Sequence, residues 1–105
     1  MSAMNMNNDT FRKEVLEEKR PALIEFMAPW CVYCRRIGPS FDKIAAEREG
    51  MAIAKVNIDD EPGLADQYGV EVVPTLIFYK DGEEKGRIVA PDSKAKIDAF
   101  IAEHL

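Results

Sequence analysis

The sequence predicts an α/β domain, a central mixed β-sheet of about five strands flanked by four helices. Three observations predict it. Apolar runs of strand length alternate with stretches of helical period in the order βαβαβα. Asp81-Gly82 then separates two β-rich runs as a hairpin turn. A final helical stretch closes the chain. At 105 residues, positions 1–105 form a single domain, long enough for one core and too short for two.

Each element has a local reason. Met4 to Asn7 fits a short edge strand. Asn8 or Asp9 caps a helix through about Glu18, with Phe11, Val15 and Leu16 spaced for one buried face. Lys19-Arg20-Pro21 ends it, because the residue before a proline avoids helical geometry. Ala22 to Ala28 is apolar on both faces, as a central strand under helices must be. Pro29 stops it. From Cys31 to about Arg48 runs the longest helix, with Ile37, Phe41, Ile44 and Ala45 as its inner stripe. Pro39 removes a backbone donor inside it and should kink it. Gly50 is placed to cap its end. Met51 to Ile58 is a second apolar strand, and Asp59-Asp60-Glu61-Pro62 leads into a short helix near Gly63 to Tyr68. Val70 to Val73 meets Pro74, and Thr75 to Tyr79 follows as a strand. Glu84 to Ala90 returns antiparallel after the hairpin. Ser93 caps the last helix, with Ile97, Phe100 and Ile101 inward.

Composition narrows the function. The hydrophobic fraction of 47% and charged fraction of 31% are those of an ordinary globular protein. The net charge of −5 and the lack of a basic stripe argue against nucleic acid, and the charge also argues against anionic membrane surfaces. No apolar run reaches membrane-spanning length. Met1 to Asn8 has no cationic region followed by an apolar core, so a cytoplasmic address is expected. In that compartment a lone CxxC is a catalytic rather than a structural expectation.

The chemistry concentrates in Ala28-Pro29-Trp30-Cys31-Val32-Tyr33-Cys34-Arg35-Arg36, which holds both cysteines of the chain. If Cys31 opens the helix, its sulfur lies near unpaired backbone N–H groups and the positive end of the dipole, both of which favour the thiolate. Cys34 follows one turn later on the same face, close enough for a disulfide. The alternatives are a structural disulfide, half a zinc site, or two buried apolar thiols. Zinc normally takes four ligands, and beyond the cysteines only the distant His104 and scattered carboxylates remain. A disulfide closing so short a loop stabilises little. A two-electron dithiol/disulfide switch is the favoured reading.

Beyond this stretch, Ala22-Leu23-Ile24-Glu25-Phe26, Pro39, Lys55-Val56-Asn57-Ile58-Asp59, Val73-Pro74-Thr75 and Asp81-Gly82 complete a pattern that spans nearly the whole chain. It resembles the thioredoxin family. A bare CxxC has little specificity; tryptophan before it, proline five residues after its second cysteine, and a distant Val-Pro-Thr together have much. The resemblance implies a thioredoxin fold with Cys31 exposed as the attacking thiol and Cys34 recessed as the resolving one. It implies a cis Pro74 facing the dithiol, where the residues alone suggest only a strand-entry proline. Val73 would then pair briefly with an extended substrate.

Glu25 stands alone in an apolar strand, where an ionised carboxylate is expensive. Either desolvation raises its pKa and it relays the proton of Cys34, or it belongs to a structural pair. The family usually carries aspartate here, so the longer side chain has a different reach. Lys55 matches a family lysine that partners this acid. Trp30 shields the cysteines and offers a flat contact surface, or simply fills core. Arg35 and Arg36 either lower thiol pKa values or are solvated helix residues. Three departures stand out: Val32-Tyr33 replaces glycine and proline, Met27 replaces a usual tryptophan, and Ala90-Pro91 lies where glycine is frequent beside the substrate groove.

The expected function is thiol–disulfide oxidoreduction, reducing protein disulfides through a reversible Cys31–Cys34 bond. No bound cofactor and no metal are expected beyond that disulfide. The expected partners are disulfide-containing proteins and, by the resemblance, a thioredoxin reductase as electron donor. A monomer is expected. The alternatives are a disulfide oxidase or isomerase, a glutathione-coupled enzyme (a tyrosine before the second cysteine also occurs in glutaredoxins), or a binding module whose cysteines are incidental.

Overall fold

The computed structural model describes residues 3–105. In chain order it contains β1 (Met4–Asn5), α1 (Asn8–Phe11), β2 (Ala22–Met27), α2 (Val32–Glu47), β3 (Ala52–Asn57), α3 (Pro62–Gln67), β4 (Thr75–Lys80), β5 (Glu83–Val89) and α4 (Lys94–His104). The strands form one sheet in the order β1-β3-β2-β4-β5. β1 and β2 lie parallel to β3, whereas β4 is antiparallel to both β2 and β5. β2 is thus the central strand, and its near-continuous apolar sequence follows from cover on both faces.

The pleat of β2 sorts the core. Ala22, Ile24 and Phe26 point to one face and pack with Phe11, Val15, Leu64 and Tyr79. Leu23 points to the other and packs with Ile37, Phe41 and Ile44 of α2 and Ile97 and Ile101 of α4. By the same alternation Glu25 projects beneath α2 rather than beneath α1. That placement decides what the carboxyl meets.

Three local expectations need correction. The first helix is capped by Asn7, not by Asn8 or Asp9. The Asn7 side chain accepts from Thr10 N at 2.8 Å, and three consecutive cap-forming residues give the sequence no way to choose among them. The chain continues from α1 into a π-helical stretch, Arg12–Glu17, where Glu18 N donates to Lys13 O at 2.8 Å. Gly50 is not a left-handed cap: α2 ends on Arg48, whose carbonyl accepts from Met51 N at 3.2 Å. Among the described residues the left-handed glycines are Gly69 and Gly82. α2 itself runs unbroken through Pro39.

Candidate active site

The cysteines sit where β2 ends and α2 begins. Cys31 is the N-cap of α2, with an extended backbone, and its sulfur accepts from Cys34 N at 3.1 Å. The two sulfurs form a disulfide. The N-cap position has a chemical consequence for the reduced form: a thiolate on Cys31 would meet a backbone N–H already aimed at it, at the positive end of the helix. Exposure differs from the expectation. Cys31 is 6% and Cys34 3% exposed, so in the disulfide form both are buried, packed with Ala28, Met27, Ile58 and Val73. The short loop holds both sulfurs under the rim residues instead of presenting one.

The rim is formed from three elements. Trp30 is 64% exposed, so it does not fill core, and its Nε1 donates to Asp59 Oδ2 at 3.2 Å. Asp59 is in turn held by its backbone N–H donating to Asn57 Oδ1 at 2.9 Å. Opposite lies the Val73–Pro74 bond, which is cis, with the Val73 carbonyl oxygen 3.7 Å from Cys31 Sγ. Thr75 Oγ1 donates to Val72 O at 2.7 Å and pins this turn. Ala90 N donates to Pro74 O at 2.9 Å, and Ala90 has a left-handed φ of 47°, a conformation that favours glycine. Val32, Tyr33 and Val72 add exposed apolar surface around the sulfurs.

Beneath the rim, Glu25 is 1% exposed, and its Oε1 has no hydrogen-bond partner within the protein. Burial pushes its carboxyl up to about 7, against the pull of the Lys55 ammonium and with a further push from Asp42. A cleft of about 270 Å³ brings Glu25 together with Cys34, Met27, Pro39, Asp42 and Lys55. The cleft is roomy enough for water. Lys55 lies opposite Glu25 in the β2–β3 register, but its ion pair is with Asp42 Oδ1 at 3.3 Å. Lys55 therefore acts on Glu25 through its field, while its ammonium also pairs across to Asp42 of α2. Asp42, which also accepts from Ala3 N at 3.0 Å, and Asp59 are the site residues that sequence reasoning missed. Asp42 follows Cys34 by eight residues, about 80° round the helix, so spacing alone did not mark it as part of the site.

The thioredoxin family model matches residues 2–103. The chain belongs to the thioredoxin family. It is 37% identical to thioredoxin 1 of Nostoc sp. over 99% of this chain and 98% of that protein. It is 38% identical to thioredoxin 1 of Synechococcus elongatus over 98% and 97%. The M-type chloroplastic thioredoxin of Spinacia oleracea is 36% identical over 96% of this chain and 56% of its own length. This family member is a thiol–disulfide oxidoreductase, a protein-disulfide reductase whose redox-active group is the Cys31–Cys34 disulfide. No helix among the described residues is long and apolar enough to cross a membrane.

Proposed function

We propose that Cys31 is the attacking sulfur and Cys34 the resolving one, with Glu25 as the proton acceptor of the second step. The observation that carries this order is the split of the two sulfurs between two environments. Cys31 lies against the Val73 carbonyl on the rim side, whereas Cys34 shares a cleft with Glu25.

The Cys31 thiolate attacks one sulfur of a substrate disulfide. A mixed disulfide forms and the other substrate sulfur leaves as a thiolate. Cys34 then gives its proton to the Glu25 carboxylate, directly or through a water in the cleft, and attacks Cys31 Sγ. The Cys31–Cys34 bond forms, the second substrate sulfur leaves, and two electrons have passed to the substrate. Trp30, Val73, Pro74 and Ala90 form the surface on which an extended substrate segment lies, with the Val73 backbone as its hydrogen-bonding edge. Lys55, tied to Asp42, keeps a positive charge near Glu25 and limits how far burial raises its pKa.

Disulfide-containing proteins are the substrates of this scheme, and a thioredoxin reductase restores the dithiol. Such a cycle suits the cytoplasm, where thiols are kept reduced. The test is covalent. Cys34→Ser removes the resolving sulfur, so it should accumulate mixed disulfides with proteins from a lysate, released by dithiothreitol on a non-reducing gel. Cys31→Ser should accumulate none. Trapping by the Cys31 variant instead would reverse the order of attack.

A further inference from the structure

Two arginines follow Cys34, and the helix sends them to different sides. Arg35 lines the Glu25 cleft with Cys34, Gly38 and Asp42. Arg36, about 100° further round the helix, lines a separate cleft of about 290 Å³ with Tyr33, Ile37 and Ser40 of α2 and Asp92 and Ser93 of the loop entering α4. Tyr33, Arg36, Ile37 and Ser40 stand at i, i+3, i+4 and i+7, one continuous stripe leading away from the dithiol.

This cleft lies at the end of the substrate surface. The Val73 carbonyl touches Cys31, the Pro74 carbonyl holds Ala90 N, and two residues after Ala90 the chain reaches Asp92. Arg36 is five residues from Cys31, about 7.5 Å along the helix, which an extended peptide covers in about two residues.

The charges there are unbalanced. Asp92 is held by Lys96 Nζ at 3.0 Å, and Ser93 Oγ is occupied by Lys96 N at 3.2 Å. Among the described residues Arg36 forms no ion pair, and it is exposed. The chain as a whole carries −5, and on the other side of the site Trp30 is tied to Asp59, followed by Asp60 and Glu61. The rim is therefore acidic beyond Trp30 and basic beyond Tyr33.

Resting on the reductase reading above, we propose that Arg36 is a specificity-determining residue that binds a carboxylate of the substrate polypeptide two or three residues from its reacting cysteine. The Tyr33 ring walls one side of the cleft, and the Arg36 guanidinium offers paired N–H donors to a planar carboxylate. The rim's polarity then fixes the direction in which a substrate lies across Trp30 and Pro74, because an acidic segment in the opposite direction would face Asp59, Asp60 and Glu61.

The test uses short peptides, each with one cysteine and linked as a symmetric disulfide. Glu, Gln or Lys is placed two or three residues before or after the cysteine. The second-order rate constant for reduction by the dithiol protein is divided by that for dithiothreitol, which removes differences in the peptides' own reactivity. The wild type is expected to prefer Glu over Gln about threefold at one of these positions, the size of an exposed ion pair, and to lose the preference near 1 M salt. Arg36→Gln should abolish the preference, Arg36→Glu should turn it toward Lys, and Arg35→Gln should keep it. An unchanged Glu/Gln ratio in Arg36→Gln, or its equal loss in Arg35→Gln, would overturn the assignment. Normal reduction of the Gln peptides with no Glu preference anywhere would sink Arg36 alone. No reduction of any peptide would sink the reductase reading and Arg36 with it.

Discussion

Glu25 is the residue at which folding and function conflict. Its carboxyl titrates at about 7 in the folded protein against an ordinary 4.5, chiefly because it is buried. The sign follows from proton counting. Between those two values the folded state holds a proton that the unfolded state has released, so raising the pH through that window destabilises the fold. The full loss is about 3 kcal/mol. Glu25→Gln removes the titration while keeping the volume. Urea titrations from pH 4.5 to 8 should therefore show a fall in wild-type stability that the variant lacks, with the variant the more stable at pH 8. A wild type no steeper than the variant would mean that Glu25 does not titrate as described. The sequence made this residue visible because a lone acid in an apolar strand is an anomaly. It did not make Asp42 visible, since an acid on a long helix has the same appearance whether solvated or aimed inward. Lys55 was legible as the charge beside Glu25, but its ion pair with Asp42 at 3.3 Å was not. Cys31 and Cys34 were legible from spacing alone, but their joint burial was not, because it depends on the rim that Val73, Ala28 and Met27 complete.

At the scale of elements, β5 and α4 approach closely at Gly86 and His104. Gly86 faces the His104 ring so closely that a Cβ there would lie 2.9 Å from His104 Cε1 and 3.1 Å from Cδ2. The ring has little freedom to retreat. Its Nδ1 is 2.9 Å from the Phe100 carbonyl oxygen, and its centroid lies 4.6 Å from that of Phe100 and 5.9 Å from that of Phe78. Gly86→Ala should therefore cost about 1 to 2 kcal/mol by forcing the ring away, and the penalty should largely vanish in a His104→Ala background. A double-mutant cycle in urea measures the coupling; a penalty of the same size in both backgrounds would place its origin in β5 itself. Most elements were legible because each has a period and a stop: Pro21 and Pro29 bracket β2, and Asp81-Gly82 turns β4 into β5. The π-helical stretch at Arg12–Glu17 was not, because its apolar spacing serves an α-helix equally well. The end of α2 was misread at Gly50 because Arg48 closes it by a backbone hydrogen bond, which leaves no mark in the sequence. The closeness of His104 to Gly86 was not legible either, since nothing in its neighbours announces the glycine it covers on another strand.

For the whole molecule, strand direction and register place the ends of β2 and β3, the start of α2, and the turn before β4 at one end of the sheet. The alternation of strands and helices implied a mixed sheet covered by helices on both faces, but not the order of its strands. The redox couple is then coupled to the fold as a unit, through a cycle of four states: folded and unfolded, oxidised and reduced. The difference in unfolding free energy between the oxidised and reduced protein equals 2F times the difference between the unfolded and folded reduction potentials, about 1.4 kcal/mol for each 30 mV. A chain that works as a reductant has the lower potential when folded, so its fold favours the disulfide. An oxidant has the reverse, its reduced form being the more stable. For this protein the oxidised form should have the higher urea midpoint, with the slope unchanged if both forms expose similar surface. Part of the gain is generic, since closing a loop also constrains the unfolded chain, though least for one so short, and that part appears equally in the unfolded potential. The comparison needs urea curves with and without dithiothreitol and the potentials of the folded protein and of an unstructured peptide spanning Trp30 to Arg35. A more stable reduced form, together with a higher potential than the peptide, would assign the Val32-Tyr33 pair to an oxidase or isomerase direction and reverse the electron flow proposed for Cys31 and Cys34.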